Sequence, residues 1–186
     1  MGEIILVTGG SRSGKSSFAE SIAKKYKNDV LYIATSIPFD EEMKERVKKH
    51  RIQRPSHWNT LEAYKDLDIH LKKSKNKKEI VLIDCITLMV SNIMLEENLD
   101  WESLNENEAI NIEKRIVEQL EKLLDVIKEN GSTFIAVTNE VGMGIIPPNR
   151  LSRMFGDIAG RVNQKLSKKA DRVYFCVSGI PIKIKG

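Results

Sequence analysis

Thr8-Gly9-Gly10-Ser11-Arg12-Ser13-Gly14-Lys15-Ser16 follows the apolar run Ile4-Ile5-Leu6-Val7 and leads into Ser17-Phe18-Ala19-Glu20-Ser21-Ile22-Ala23-Lys24. Gly9, Gly14, Lys15 and Ser16 satisfy the spacing G-x-x-x-x-G-K-[ST]. Glycines let the backbone curl so that its N–H groups point at phosphate oxygens, and the helix that follows adds the positive end of its dipole. In such a loop a lysine reaches the β- and γ-phosphates and a serine hydroxyl can ligate Mg²⁺. A strand before the motif and a helix after it are the context that separates a phosphate site from a chance Gly/Ser-rich turn. Gly9, Gly10, Ser11, Arg12, Ser13, Gly14, Lys15 and Ser16 are therefore read as a nucleotide phosphate site.

Outward from that stretch, apolar runs recur at 30–34, 80–83, 134–137 and 173–177, with a short final run at 180–184. With the first run at 4–7, five of them are continuous and not alternating, the pattern of strands buried on both faces of a parallel sheet. Helical patterns fall at 15–27, 40–50, about 61–72, 86–96, 106–130 and 150–169. The long one carries its own punctuation: Asn105 with Glu108 resembles a capping box, Ile116, Leu120, Leu123 and Ile127 form a stripe, and Asn130-Gly131 stops it. Alternating β and α elements predict a P-loop α/β fold, a mostly parallel sheet flanked by helices with ligands at the carboxyl ends of its strands. Ser178-Gly179 reads as a hairpin link, so the last strand is expected to run antiparallel at an edge. No linker divides the chain, and residues 1–186 read as one domain.

Composition narrows the class. The chain has 186 residues, 41% hydrophobic and 30% charged, as in an ordinary globular protein. Its net charge of +4 suits nucleic acid or polyphosphate ligands alike. Aromatic residues make up only 6%, and the lysine-rich turn at 72–78 contains none, so stacking platforms for nucleic acid are not expected. The apolar stretch at 80–95 is interrupted by Asp84, Thr87, Ser91 and Asn92 and does not make a membrane span. Cys85 and Cys176 sit in apolar runs and read as buried free thiols, and with no leader-like segment the expectation is a cytoplasmic protein. The acidic, Asn-rich stretch at 96–107 reads as a surface connection or lid.

Three further groups carry chemical potential. Val81-Leu82-Ile83-Asp84 is a strand ending in a carboxylate, which in P-loop proteins lies near the Mg²⁺ sphere; the alternative is that Asp84 only caps the next helix. Thr138-Asn139-Glu140-Val141-Gly142-Met143-Gly144 leaves the fourth apolar run. Asn139 and Glu140 are candidates for orienting a nucleophile or water, or else parts of a glycine turn. The charged segment from Asp40 ends in His50-Arg51-Ile52-Gln53-Arg54-Pro55-Ser56-His57-Trp58. Neutral imidazole is a competent nucleophile toward phosphorus, although a histidine among lysines is commonly just solvated. The three histidines have no zinc-ligand spacing.

The P-loop, Tyr32-Ile33-Ala34-Thr35-Ser36, His50 with Arg54-Pro55, the run Thr138 to Gly144, and Asp157-Ile158-Ala159-Gly160-Arg161-Val162-Asn163-Gln164 together resemble the bifunctional adenosylcobinamide kinase / adenosylcobinamide-phosphate guanylyltransferase family of cobalamin synthesis. The likeness runs from Ile4 to Lys185, and the part from Thr138 to Gln164 is the most specific. The resemblance implies phosphorylation of adenosylcobinamide by ATP or GTP. It also implies transfer of GMP from GTP, through a guanylyl-histidine, to give adenosylcobinamide-GDP. The histidine position matches His50; Lys49 stands where some members have a second histidine. Nucleotide contacts are implied at the P-loop, at Ala34, Thr35 and Ser36, at His50, Arg51, Ile52 and Gln53, and at Glu62 and Asp84. Mg²⁺ is expected at Ser16 and Asp84. The resemblance further implies a RecA-like fold and a homotrimer. Against it stand a plain small-molecule kinase, in which His50 is inert, and a RecA-like nucleic-acid-binding NTPase.

Overall fold

The computed structural model describes residues 2–26, 30–37, 45, 55–74, 78–97 and 99–186. The apolar runs become strands β1 (Ile4–Gly9), β2 (Val30–Ala34), β4 (Ile80–Asp84), β5 (Thr133–Val137), β6 (Arg172–Val177) and β7 (Ile180–Lys185), joined by a further strand β3 (Asn59–Glu62). The helices are α1 (Lys15–Ala23), α2 (Leu67–Lys73), α3 (Ile86–Glu96), α4 (Glu106–Asn130) and α5 (Arg150–Lys169). The seven strands form one sheet in the order β3-β2-β4-β5-β1-β6-β7. Every neighbour pair is parallel except β6 and β7, which form the expected antiparallel edge across Ser178 and Gly179. This is the P-loop α/β architecture that the sequence predicts.

Why the central runs are continuous is visible in the two cores. Ile5 and Val7 of β1, Ile80 and Leu82 of β4, and Ile135 and Val137 of β5 pack on one face with Ala19 and Ile22 of α1. Leu6, Val81, Ile83, Phe134 and Ala136 point the other way, into a core shared with α2 to α5. Side chains alternate across a strand, so a strand covered on both faces needs an apolar residue at every position. Burying each such Val, Leu, Ile or Phe contributes about 1.5–3 kcal/mol.

The helix ends obey local chemistry. Asn105 Oδ1 accepts from the Glu108 amide at 3.0 Å while the Glu108 carboxylate accepts from the Asn105 amide at 2.9 Å. Gly131 closes α4 with φ 69°, in the left-handed region. Two boundaries differ from the sequence reading. The pattern over 61–72 resolves into β3 and then α2, because β3 is an exposed edge strand with no continuous apolar run. The helix over 15–27 is regular only to Ala23, after which the chain turns. The expected helix over 40–50, apart from Glu45, and the middle of the lysine-rich turn at 75–77 lie outside the described residues.

Candidate active site

The strand order sets the site. β5 lies between β1 and β4, with Asp84 abreast of Val137 and Val137 abreast of Val7. At about 4.8 Å per strand, Asp84 therefore stands about 10 Å across the sheet from the strand that feeds the phosphate loop. Residues leaving β5 emerge between the two.

The phosphate loop is fixed by its own backbone and by the far end of the chain. Ser13 N–H donates to the Gly10 carbonyl at 3.3 Å, and Gly179 N–H, from the β6–β7 turn, donates to the Ser13 carbonyl at 3.0 Å. Gly9 and Gly14 are glycines for steric reasons. At Gly9 (φ 154°) a Cβ would lie 2.5 Å from the Cys176 carbonyl oxygen, and at Gly14 (φ 88°) one would meet the Gly179 Cα at 3.0 Å. Lys15 is buried, with Nζ donating to the Gly10 carbonyl at 2.9 Å, which holds the ammonium over the loop. Ser16, half-buried, follows it in the first turn of α1.

Two buried hydroxyls, Thr8 Oγ1 and Ser13 Oγ, lack a hydrogen-bond partner among the described residues. An unpaired buried hydroxyl costs about 1–3 kcal/mol. The loop thus carries donor capacity that a phosphate oxygen would satisfy, alongside its amides and the α1 dipole. That is the chemistry of an anion cradle.

At the end of β4 the Asp84 carboxylate accepts from the Tyr32 hydroxyl at 2.8 Å. Asp84 does not cap α3, whose N-cap residue is Cys85 with no side-chain cap bond, so the capping alternative is not the one realised. Tyr32 itself is fully buried, and its hydroxyl aims Oδ2 while the second carboxylate oxygen keeps acceptor capacity. Among the described residues no group of three or more His, Cys, Asp and Glu side chains gathers as a metal cage. Mg²⁺ is instead ordinarily held by one or two protein oxygens together with substrate phosphates and water, and Ser16 with Asp84 is a donor set of that kind.

A second buried network fixes the end of β2. The Thr35 hydroxyl donates to the Cys85 carbonyl at 2.7 Å and accepts from the Cys85 amide at 2.8 Å, and Asn92 Nδ2 donates to the Thr35 carbonyl at 2.6 Å. Beside it opens a cavity of about 400 Å³ lined by Ala34, Thr35, Ser36, Glu62, Tyr64 and His70, among others. Ala34, Thr35, Ser36 and Glu62, predicted as nucleotide contacts, thus share one pocket. The register that pairs Ala34 with both Glu62 and Asp84 brings them to one rim. His50, Arg51, Ile52 and Gln53 lie outside the described residues.

Glu140 is engaged through both its backbone and its side chain. Its N–H donates to the Gly9 carbonyl at 3.1 Å, and its carboxylate accepts from the Gly142 amide at 3.3 Å. Both Asn139 and Glu140 stand between cradle and carboxylate, as the strand order requires. What sequence reading missed is the hairpin contact through Gly179 and the part that Thr87 and Asn163 play behind the rim, although Asn163 stands in the run that carries the resemblance. Their roles come from contacts between positions far apart in the chain, and only the polar character of these residues within apolar patterns signals them.

Comparison with known proteins finds relatives that match nearly the full length of the chain. Residues 5–184 match the family model described as cobinamide kinase / cobinamide phosphate guanyltransferase. The bifunctional adenosylcobalamin biosynthesis protein CobU of Escherichia coli strain K12 is 44% identical, over 98% of this chain and 99% of its own length. The protein of the same name from Salmonella typhimurium is also 44% identical, with 98% and 99% covered. CobP of Pseudomonas aeruginosa, again described as a bifunctional adenosylcobalamin biosynthesis protein, is 36% identical over 97% and 96%.

Proposed function

The chain belongs to the cobinamide kinase / cobinamide phosphate guanyltransferase family, and from that membership we propose how its residues carry both reactions of cobalamin biosynthesis. In the kinase reaction the hydroxyl oxygen of the aminopropanol arm of adenosylcobinamide attacks the γ-phosphorus of ATP or GTP. The bond from that phosphorus to the bridging oxygen breaks, the nucleoside diphosphate leaves, and the hydroxyl proton is lost. In the guanylyltransferase reaction the His50 imidazole attacks the α-phosphorus of GTP and pyrophosphate leaves. An oxygen of the corrinoid phosphate then displaces the imidazole, giving adenosylcobinamide-GDP and free His50.

The observation that carries this reading is the cradle of Gly9 to Ser16, with Lys15 held over it and the Ser13 hydroxyl unpaired within it. Its amides and Lys15 hold the phosphates in line and stabilise the charge that develops on the leaving group. Mg²⁺, held by Ser16 and Asp84, would neutralise phosphate charge in the same place. Tyr32 keeps Asp84 aimed, and Asn139 and Glu140 line the path by which an acceptor oxygen reaches the phosphates. Ala34, Thr35, Ser36 and Glu62 take the nucleoside side, and His50, Arg51, Ile52 and Gln53 are further nucleotide contacts. In this reading residues 1–186 act as one domain, in the cytoplasm and as a homotrimer, on small-molecule corrinoid and nucleoside triphosphates and without nucleic acid. Among the described residues no helix is long and apolar enough to cross a membrane.

The test compares GTP labelled at the α- or the γ-phosphate on purified protein with Mg²⁺, resolved on a denaturing gel beside His50→Ala. Acid-labile label from the α-position only, absent in the variant, is the expected result. No retained α-label from the parent protein would remove the histidine intermediate and leave a P-loop kinase.

A further inference from the structure

The chain between β5 and α5 is anchored at both ends and apolar in the middle. Its root is a closed ring of hydrogen bonds. The Asn139 amide donates to Thr87 Oγ1 at 2.6 Å, Thr138 Oγ1 donates to Asn163 Oδ1 at 2.7 Å, and Asn163 Nδ2 donates to the Asn139 carbonyl at 3.0 Å. With the Thr138 proton spent on Asn163, the 3.0 Å contact between the two threonine hydroxyls is closed by the Thr87 proton. Thr87, Thr138 and Asn163 are all buried. The next amide, of Glu140, is bonded to the first glycine of the phosphate loop.

The far end is held as firmly. Arg153 donates to the carbonyls of Pro147 and Pro148, Asn149 Oδ1 accepts from the Ser152 amide at 2.8 Å to cap α5, and Arg150 donates to the carbonyls of Glu102 and Leu104. Between these anchors Met143 is 77% exposed, Ile145 96% and Ile146 80%. A single exposed apolar side chain needs no explanation, but three within four positions on a loop tied down at both ends form a presented patch.

We propose that the loop 141–148, through Met143, Ile145 and Ile146, is the docking surface for the corrin macrocycle of the acceptor. The inference rests on the kinase and guanylyltransferase reading and adds where the acceptor sits. Three features select this occupant. The loop springs from the strand next to β1, one strand spacing of about 4.8 Å from the phosphate loop, and the Glu140–Gly9 bond joins the two directly. A corrinoid offers a broad, flat ring face to an apolar patch while its rim of amides stays in water. Its reacting hydroxyl is on a flexible arm, so a ring seated on the loop can deliver that oxygen across Glu140 to the cradle.

Equilibrium dialysis of adenosylcobinamide, followed by its visible absorbance, tests this with the full chain and with Ile145→Ser/Ile146→Ser. GTP affinity, sedimentation mass and phosphorylation of the corrinoid are measured on the same samples. Corrinoid affinity is expected to fall by about tenfold or more. GTP affinity and mass stay unchanged, and Ile145→Leu/Ile146→Leu retains corrinoid binding. Undiminished corrinoid affinity in the serine variant overturns the proposal, and so does a lower mass, which would make the patch a contact between copies. Corrinoid binding that depends on these isoleucines, without phosphorylation by the parent protein, would support the docking surface while removing the kinase reading. Failure of the parent protein to bind corrinoid at all would overturn both.

Discussion

The phosphate loop and the loop after β5 begin on adjacent strands and share a hydrogen bond, yet they are built in opposite ways. The first turns two polar side chains inward, with Lys15 and Ser13 buried while Ser11 and Arg12 stay exposed, and the loop closes on backbone bonds to the Gly10 carbonyl and from the Gly179 amide. The second turns apolar side chains outward and spends its polar groups on anchoring its ends. The difference follows from what each meets. Phosphate oxygens are small, charged and the same in every nucleotide, so a rigid nest of amides recognises them at little cost in reorganisation. A large ring with an apolar face demands an open surface, and rigidity there has to come from the ends.

The sharpest way to break the contrast is Lys15→Ala. It should lower the kinase turnover and the rate of protein labelling by about 10²–10³-fold, as loss of a preorganised charge donor does elsewhere. Corrinoid binding in dialysis should stay as it was. If both fall together, the two loops are one site and the distinction is void. A smaller effect is expected from Asn163→Ala, which leaves Thr138 Oγ1 without its acceptor and the Asn139 carbonyl without its donor. Urea denaturation should show a loss of about 1–3 kcal/mol. The KM for corrinoid should rise while GTP affinity holds, because the ring supports the second loop and not the first.

The smallest effect concerns the thiols under the rim. Burial, and secondarily the Asp84 carboxylate, push Cys85 up to about 11, and burial also raises Cys176. A thiol whose pKa is raised stays protonated below that value, so both should resist iodoacetamide at pH 8 in the native protein and react once it is unfolded. Rapid native alkylation at pH 8 would mean that the floor beneath both loops opens.

How much of this could be read from residues alone depended on whether the physics was local. The phosphate loop was legible because its glycines, lysine and serine must recur at fixed spacing. The central strands were legible because Ile80 to Ile83 and Phe134 to Val137 are buried on both faces. β3 was not, since Asn59–Glu62 is an exposed edge whose pairing with β2 rests on backbone bonds. The choice between metal ligand and helix cap at Asp84 stayed open in the sequence; the bond from Tyr32 disfavours the cap, because that tyrosine is two residues short of the end of the neighbouring strand. Nothing in the order of residues joins Thr87, Thr138 and Asn163. The place of His50 rests on the resemblance, since it lies outside the described residues.

The bond from the Gly179 amide to the Ser13 carbonyl has a consequence in time. A ribosome finishes the phosphate-binding motif early and reaches the turn that braces it only on the order of ten seconds later. Until then the loop lacks the neighbour that packs against Gly14. Glu3 waits in the same way for Arg172, and the Ile4 amide for the Asp171 carboxylate. The nucleotide site is thus written first and finished last, and a chain stalled before the β6–β7 turn carries the motif without the braced cradle.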